Sequence, residues 1–351
     1  MSTRIFVNPS GQKENLGDSV LRRAYLDALR DQGQLHVYAG THSAYISGLG
    51  LSTEDVVYHS RSSWLRAALA VGPRGSRMGF ALNAGEWVLD RRFLVNSAWQ
   101  TALLTRSRLG GGRPVALGIA LRRDQGALPR RWFRRMLSLT GTISWRDPDS
   151  RADLGVGTVA PDWAFALGSA PERFRPADQR RTIAVALRGD RPAPTAVWLG
   201  TVRALARSLD ARIVVVDQMQ EDEQRCAELA RDLDGTVLGW DASVSHADHE
   251  ERVRELYRDC AAVVSDRIHA LILGMTEGAV PIGFTTSDPE KVRRTFAAVT
   301  TLPVAFAEKD VTGETDAVER AQALLGQRDR LLADLAVGRE RLAGLRRSLT
   351  L

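Results

Sequence analysis

The sequence predicts an α/β protein of two domains, each built on a mostly parallel sheet. Three observations lead there. Short β-branched runs alternate with helical patterns along both halves of the chain. A polar stretch with two prolines and no periodicity, Gly168 to Arg181, separates the halves. The length, 351 residues, suits two domains of about 150 residues, each with its own core.

The elements follow in order. Thr3 to Asn8 reads as a strand, and Pro9 to Gly17 as a polar loop. Asp18 to Gln32 carries Val20, Leu21, Tyr25 and Leu29 at helical spacing. Leu35 to Ala39, Gly79 to Asn83, Pro114 to Leu121 and Thr142 to Trp145 are further strands, with helical patterns between several of them. Beyond the polar stretch the alternation resumes. Thr182 to Leu187, Arg212 to Val216, Ala261 to Ser265 and Val280 to Phe284 read as strands, with a short run at Thr236 to Trp240. Ala193 to Leu209, Glu221 to Leu233 and His249 to Arg258 read as helices. Glu314 to Leu351 is rich in helix formers, with a partial apolar stripe of Leu324, Leu331, Leu335, Leu342 and Leu345. It reads as one or two helices packed onto a domain, because Gly326, Gly338 and Gly344 interrupt it. The expected division is residues 1–170, 180–312 and a helical segment 313–351.

Composition narrows the function classes. Hydrophobic residues at 44% and charged residues at 26% are globular values and exclude a disordered or fibrous chain. No apolar run reaches the ~18 residues of a membrane span. Met1 to Asn8 lacks the basic start and long apolar stretch of a secretory signal. Cys226 and Cys260 form neither a metal spacing nor a disulfide framework, so a reducing cytoplasm is expected. The charge is 48 − 42 = +6. Acidic residues read as interspersed nearly everywhere, so the excess reads as solvated arginine-rich surface, with an anionic partner as the lesser reading. Lysine occurs only at Lys13, Lys291 and Lys309. A lysine beside a candidate site is therefore informative.

In open α/β sheets, ligands bind beyond the carboxyl ends of the strands. That rule selects Asn15 to Asp18, Asn83 to Glu86, Arg146 with Asp147, Arg188 to Asp190, Asp217, Asp266 to His269, and Thr285 to Lys291. The strongest cluster is Ser265-Asp266-Arg267-Ile268-His269, where an apolar strand gives way to an apolar helix. Arg267 would sit near a helix N-terminus, which favours anions, and can grip phosphate or carboxylate with two N–H groups. His269 would lie in the first turn and can exchange protons near neutral pH. The structural alternative pairs Arg267 with Asp266 and buries His269 in hydrogen bonds. Lys291 can add a second cation or be a helix-surface lysine behind a Ser287 or Asp288 cap. Gly17 permits a tight turn, and Asp18 can cap the first helix or act as a base. Asp149 or Ser150 can cap the helix after Arg146, leaving Arg146 as a strand-end cation.

His36, His42 and His59 are scattered. His246 and His249 have a metal-like spacing without a carboxylate or cysteine framework, so they read as solvent-facing residues at a helix start, and no metal is expected. No dinucleotide fingerprint, Walker loop or nucleophile elbow is present, and Gly110 to Gly112 reads as a flexible connection.

NLGD at 15–18, WRDPDS at 145–150, APDWAF at 160–165 and SDRIHALILGMTEGAVPIGF at 265–284, followed by Lys291, together resemble the polysaccharide pyruvyl transferase family. The resemblance runs from Asn15 to about Lys291, and the Arg267–His269 element is its most specific part. It implies two Rossmann-like domains facing across a cleft, similar to the GT-B architecture. It implies transfer of pyruvate from phosphoenolpyruvate to a sugar as a ketal, with no cofactor beyond that donor. By resemblance, Arg146, Arg267 and Lys291 bind the donor, and His269, Asp18 and Arg267 serve catalysis. Asn15, Gly17, Asp18 and Glu86 fall on the acceptor side. The implied partner is a sugar or glycan, free or lipid-linked, and not nucleic acid; a peripheral contact at the inner membrane face fits a lipid-linked acceptor. The loop PSGQKENLGD is more charged than the family pattern, and Asn83-Ala84-Gly85-Glu86 replaces a glycine run.

Two alternatives remain at this stage. A nucleotide-sugar glycosyltransferase would need a base and ribose pocket, for which Asp217 and Trp240 are the available pieces. A non-catalytic anion- or nucleic-acid-binding protein would need a basic stripe such as Arg130 to Arg135, which also reads as an amphipathic helix near anionic lipid.

Overall fold

The computed structural model describes residues 2–72, 76–122 and 126–351, so Met1 lies outside the described residues. The chain divides into two compact units. The first comprises Met1–Gln12, Ser19–Trp163 and Glu340–Leu351; the second comprises Lys13–Asp18 and Ala164–Arg339.

The strands of the first unit are β1 (Ser2–Val7), β2 (Gln34–Tyr38), β3 (Val56–Tyr58), β4 (Ser76–Leu82), β5 (Gly85–Trp87), β6 (Val115–Leu121), β7 (Thr142–Trp145) and β8 (Thr158–Val159). They pair in parallel in the order β3-β2-β1-β4-β6-β7-β8, with β5 beside β6. β6 is buried along its whole length, as expected of a strand covered on both faces. An aromatic cluster fills one side of this sheet. Trp64 packs edge-on against Phe6 and Trp99, and Phe133 stacks on Trp87.

The second unit holds β9 (Thr182–Ala186), β10 (Arg212–Val216), β11 (Thr236–Leu238), β12 (Cys260–Ser265), β13 (Val280–Thr285) and β14 (Ala305–Ala307). Their order is β11-β10-β9-β12-β13-β14, all parallel. This is the doubly wound Rossmann order, and the first sheet repeats its 3-2-1-4 portion. In each sheet the direction of winding reverses once, between β1 and β4 and between β9 and β12. The helix Ile268–Thr276 after β12 is apolar almost all round, and every residue but His269 is buried.

Four short strands escape the sequence pattern: β3, β5, β8 and β14. Each has two or three residues, too few to show a period. The polar stretch at 168–181 belongs to the second unit and runs mostly over its surface, held by a single buried side chain. Buried Arg180 donates to the carbonyls of Arg175, Cys260 and Glu277 at 3.0, 2.7 and 2.9 Å. The C-terminal segment forms two helices, Glu314–Leu325 and Arg328–Ser348. Gly326 ends the first, whereas Gly338 and Gly344 are accommodated within the second. Cys226 and Cys260 are buried free thiols.

Candidate functional site

A polar cluster of the second unit lies where its sheet reverses. β12 ends at Ser265, whose hydroxyl donates to the Ala186 carbonyl and accepts the Arg267 N–H at 2.9 Å. This bond sets the turn from strand into helix. The Asp266 carboxylate accepts the Arg188 N–H at 3.0 Å, tying the end of β12 to the end of β9. Burial pushes the Asp266 carboxyl up to about 6.

Arg267 is the N-cap residue of the helix Ile268–Thr276, and its side chain is 9% exposed. Its guanidinium pairs with Asp222, not with Asp266 as the structural alternative expected. Asp222 also accepts the Gly189 N–H at 2.8 Å through Oδ1. Arg267 Nη2 stands 3.6 Å from Met219 Sδ, and its Nε has no hydrogen-bond partner among the described residues. Asp217 follows β10. Burial, reinforced by the charge of Asp222, pushes its carboxyl up to about 7, against the pull of the Met219 and Trp240 N–H groups.

The Lys13–Asp18 loop belongs to this unit, although the sequence reading counted it in the first domain. Backbone bonds explain its place. Leu16 N–H donates to Gln218 O at 3.2 Å, Gln220 N–H donates to Glu14 O at 3.2 Å, and Asn15 bridges Met219 antiparallel. The Asn15 carboxamide accepts the Gly17 N–H at 3.0 Å, so Asn15, and not Asp18, caps the helix Leu16–Arg30. Asp18 lies in its first turn. Gly17 is pressed against His269: a Cβ built there would lie 2.3 Å from His269 Nδ1 and 2.5 Å from its Cβ and Cγ. Only glycine allows this approach. Asn15, Gly17, Asp18, Arg267 and His269 are thus brought into one unit at one end of one sheet. Lys291 is exposed in the first turn of the helix Glu290–Phe296, after β13.

His246 and His249 correct the sequence reading. Both are buried, at 1% and 0% exposure, and each ring meets a backbone carbonyl. His246 Nε2 lies 2.7 Å from Lys13 O, anchoring the loop. His249 Nε2 lies 2.7 Å from Asp217 O, and its ring stacks on Trp240 at 4.5 Å. Burial lowers the His249 imidazole to about 4, so it is neutral near pH 7, with its Nε2 proton on the carbonyl. Among the described residues no cluster with a metal-binding set of ligands occurs.

The first unit keeps the other candidates. Arg146, at the end of β7, is 3% exposed, and its Nη1 binds Asp162 at 2.8 Å. It is a buried, paired cation and not an open strand-end charge. Its Nε has no hydrogen-bond partner among the described residues. The following helix, Pro148–Leu154, is capped by Asp147, which accepts the Ser150 N–H at 2.7 Å; the expected caps, Asp149 and Ser150, do not serve. Ser150 instead binds the Leu121 N–H through its hydroxyl at 2.8 Å. Glu86, on β5, lines a cleft of about 230 Å³ at the reversal between β1 and β4. Asn8, Asn83, Trp87, Trp99 and Gln100 line it too. The Oδ1 atoms of Asn8 and Asn83 are buried there without a hydrogen-bond partner among the described residues.

Sequence reasoning missed Asp222, Asn8, Trp99 and Gln100. Asp222 and Asn8 follow strand ends closely, and a wider application of the strand-end rule finds them. Trp99 and Gln100 sit on the helix Ala98–Leu109, where no local pattern marks them. Chemically, the second-unit cluster offers a guanidinium, an imidazole and a helix-start carboxylate. The first-unit cleft offers aromatic faces, amide oxygens, the Glu86 carboxylate and the Arg22 guanidinium.

Comparison with known proteins agrees with this architecture. The family model described as polysaccharide pyruvyl transferase matches residues 15–288. No curated protein matches the chain by sequence. Among solved structures, Anabaena HepE in complex with UDP and glucose has 10% identity and a TM-score of 0.51, over 99% of this chain and 98% of that one. Phytolacca americana UGT2, complexed with UDP-2fluoro-glucose and pterostilbene, also has 10% identity and a TM-score of 0.51, over 99% and 100%. The fold is that of GT-B glycosyltransferases.

Proposed function

The chain belongs to the polysaccharide pyruvyl transferase family, and from that premise we propose that it moves pyruvate from phosphoenolpyruvate onto a sugar hydroxyl pair as a ketal, releasing phosphate. The observation that carries the reading is the contact of Gly17 with His269, beside Arg267. Two sequence elements some 250 residues apart meet at the winding reversal of the second sheet, where this fold class binds ligands.

The chemistry asks for cations and a proton carrier. Phosphoenolpyruvate has a phosphate and a carboxylate. Protonation of its methylene carbon makes the central carbon electrophilic. One sugar hydroxyl attacks that carbon, phosphate departs, and a second hydroxyl closes the ketal. Arg267 is proposed for the phosphate, where its partnerless Nε and the adjacent helix start favour an anion. Lys291 is proposed as a second phosphate cation. Arg146, held by Asp162, is proposed for the carboxylate. His269 is proposed as general acid and base. Asp18, in the first turn of its helix, is proposed to orient or deprotonate the acceptor. Asp222 occupies Arg267 without donor, so donor binding exchanges one anionic partner for another.

The second reading is a nucleotide-sugar glycosyltransferase, favoured by the UDP-bound HepE structure of the same fold. Two residues available to it are spent elsewhere. Asp217 is buried, and Trp240 is stacked on His249. Calorimetric titration with phosphoenolpyruvate separates the readings. Saturable binding by the wild type, weakened by about 10- to 100-fold in Arg267→Ala, is expected from the loss of a charged hydrogen-bond donor. Binding of UDP-sugars with no response to phosphoenolpyruvate would move the assignment to the second reading.

A further inference from the structure

The basic charge of this chain is not interspersed, contrary to the sequence reading. Residues 91–146 hold twelve arginines and one acidic residue, Asp124, a net of 12 − 1 = +11. The rest of the chain therefore carries +6 − 11 = −5. Two helices of the first unit concentrate the exposed part of that charge. Arg91–Asn96 exposes Arg91 and Arg92, and Ala127–Leu137 exposes Arg131, Arg134 and Arg135. The helices are packed together. Phe93 meets Phe133 edge-on at 5.6 Å, and Trp132 Nε1 reaches Ser97 Oγ at 2.9 Å. Neither helix contains an acidic residue. Asp90 caps the first helix, and Asp153 lies 3.8 Å from Arg130 of the second. Large apolar side chains project from the same two helices: Val95 is 77% exposed and Leu128 is 66% exposed.

We propose that these paired helices form a docking surface for an anionic lipid bilayer. Arginines that read phosphate alone would suit nucleic acid equally. Val95 and Leu128 decide for lipid, because exposed aliphatic groups among cations gain by entering the headgroup boundary. No helix among the described residues is long and apolar enough to cross a membrane, so the contact is peripheral. The inference is independent of the transfer chemistry, and its test needs no substrate.

The test is sedimentation of the full chain with vesicles at about 150 mM salt. Vesicles of 30% phosphatidylglycerol in phosphatidylcholine are compared with pure phosphatidylcholine. The wild type is expected to bind the anionic vesicles at least tenfold more tightly. Each arginine near such a surface contributes roughly fivefold, so Arg131→Gln/Arg134→Gln/Arg135→Gln should lose about 100-fold. Val95→Ser/Leu128→Ser, with unchanged charge, should weaken binding several-fold. Circular dichroism confirms that both variants fold. Equal binding to both vesicle types, no loss in the arginine variant, or displacement of the protein from vesicles by a short DNA duplex that binds more tightly would each overturn the proposal.

Discussion

The winding reversals of the two sheets present the same backbone with different chemistry. Past the carboxyl ends of β9, β10 and β12 the chain carries charge: Arg188, Asp217, Asp222, Asp266 and Arg267, with His269 in the first turn of the following helix. Between β1 and β4 amides and aromatic rings, with Glu86 and Arg22, line an open cleft. Topology alone specifies only that a ligand site can form there. The side chains at the strand ends choose what it accepts. The reversal of the second sheet, with Arg267, suits a small anion, and the cleft of the first, with its amides, aromatic rings and Glu86, suits a polyhydroxyl surface.

The sharpest break between the two sites is at His269. His269→Ala should lower turnover by about 10³-fold, within the range for loss of a general acid or base, while phosphoenolpyruvate affinity stays within threefold. A matching loss of affinity would make His269 a binding residue instead. Gly17→Ala tests whether the loop and the imidazole form one unit. A methyl group 2.3 Å from His269 Nδ1 forces one of them to move. A loss of about 1–3 kcal/mol in stability is expected by urea titration, together with a drop in turnover. Unchanged stability and activity would show that the loop does not position His269.

The pH dependence of Asp217 sharpens the comparison further. Its folded value, about 7, lies above its ordinary value of 3.8. The folded protein thus holds a proton that the unfolded chain releases, and this group's contribution falls as pH rises from about 4 to 7. Asp217→Asn removes that penalty and keeps an oxygen for the Met219 N–H. The variant should match the wild type near pH 4 and be more stable by roughly 2–4 kcal/mol near pH 8. Parallel stability profiles would place the titration elsewhere. The smallest effect is expected at Asn83. Asn83→Ala should raise the acceptor KM by about fivefold, as for one neutral hydrogen bond, without altering donor affinity. A change in donor affinity would erase the distinction between the two sites.

Long elements were legible because their periods repeat. The buried runs of β6, β9 and β12 and the apolar helix after β12 declared themselves as alternating α/β units. So did Arg267 and His269, since a strand end followed by a helix start is a local signal. The histidines at 246 and 249 were misread for the opposite reason. Their burial depends on carbonyls of Lys13 and Asp217, 233 and 32 residues away. No window around either residue contains that information.

By itself, then, the sequence determined the class of fold, the family and the strand ends at which polar residues gather. These are matters of hydrophobic period and of local strand-to-helix signals. Tertiary structure alone decided that the Lys13–Asp18 loop belongs to the second unit, that Gly17 must be glycine because of His269, and that Asp222 rather than Asp266 holds Arg267. Those outcomes depend on which backbone donors and acceptors meet across long stretches of chain. Such pairings are settled by packing and leave no local trace.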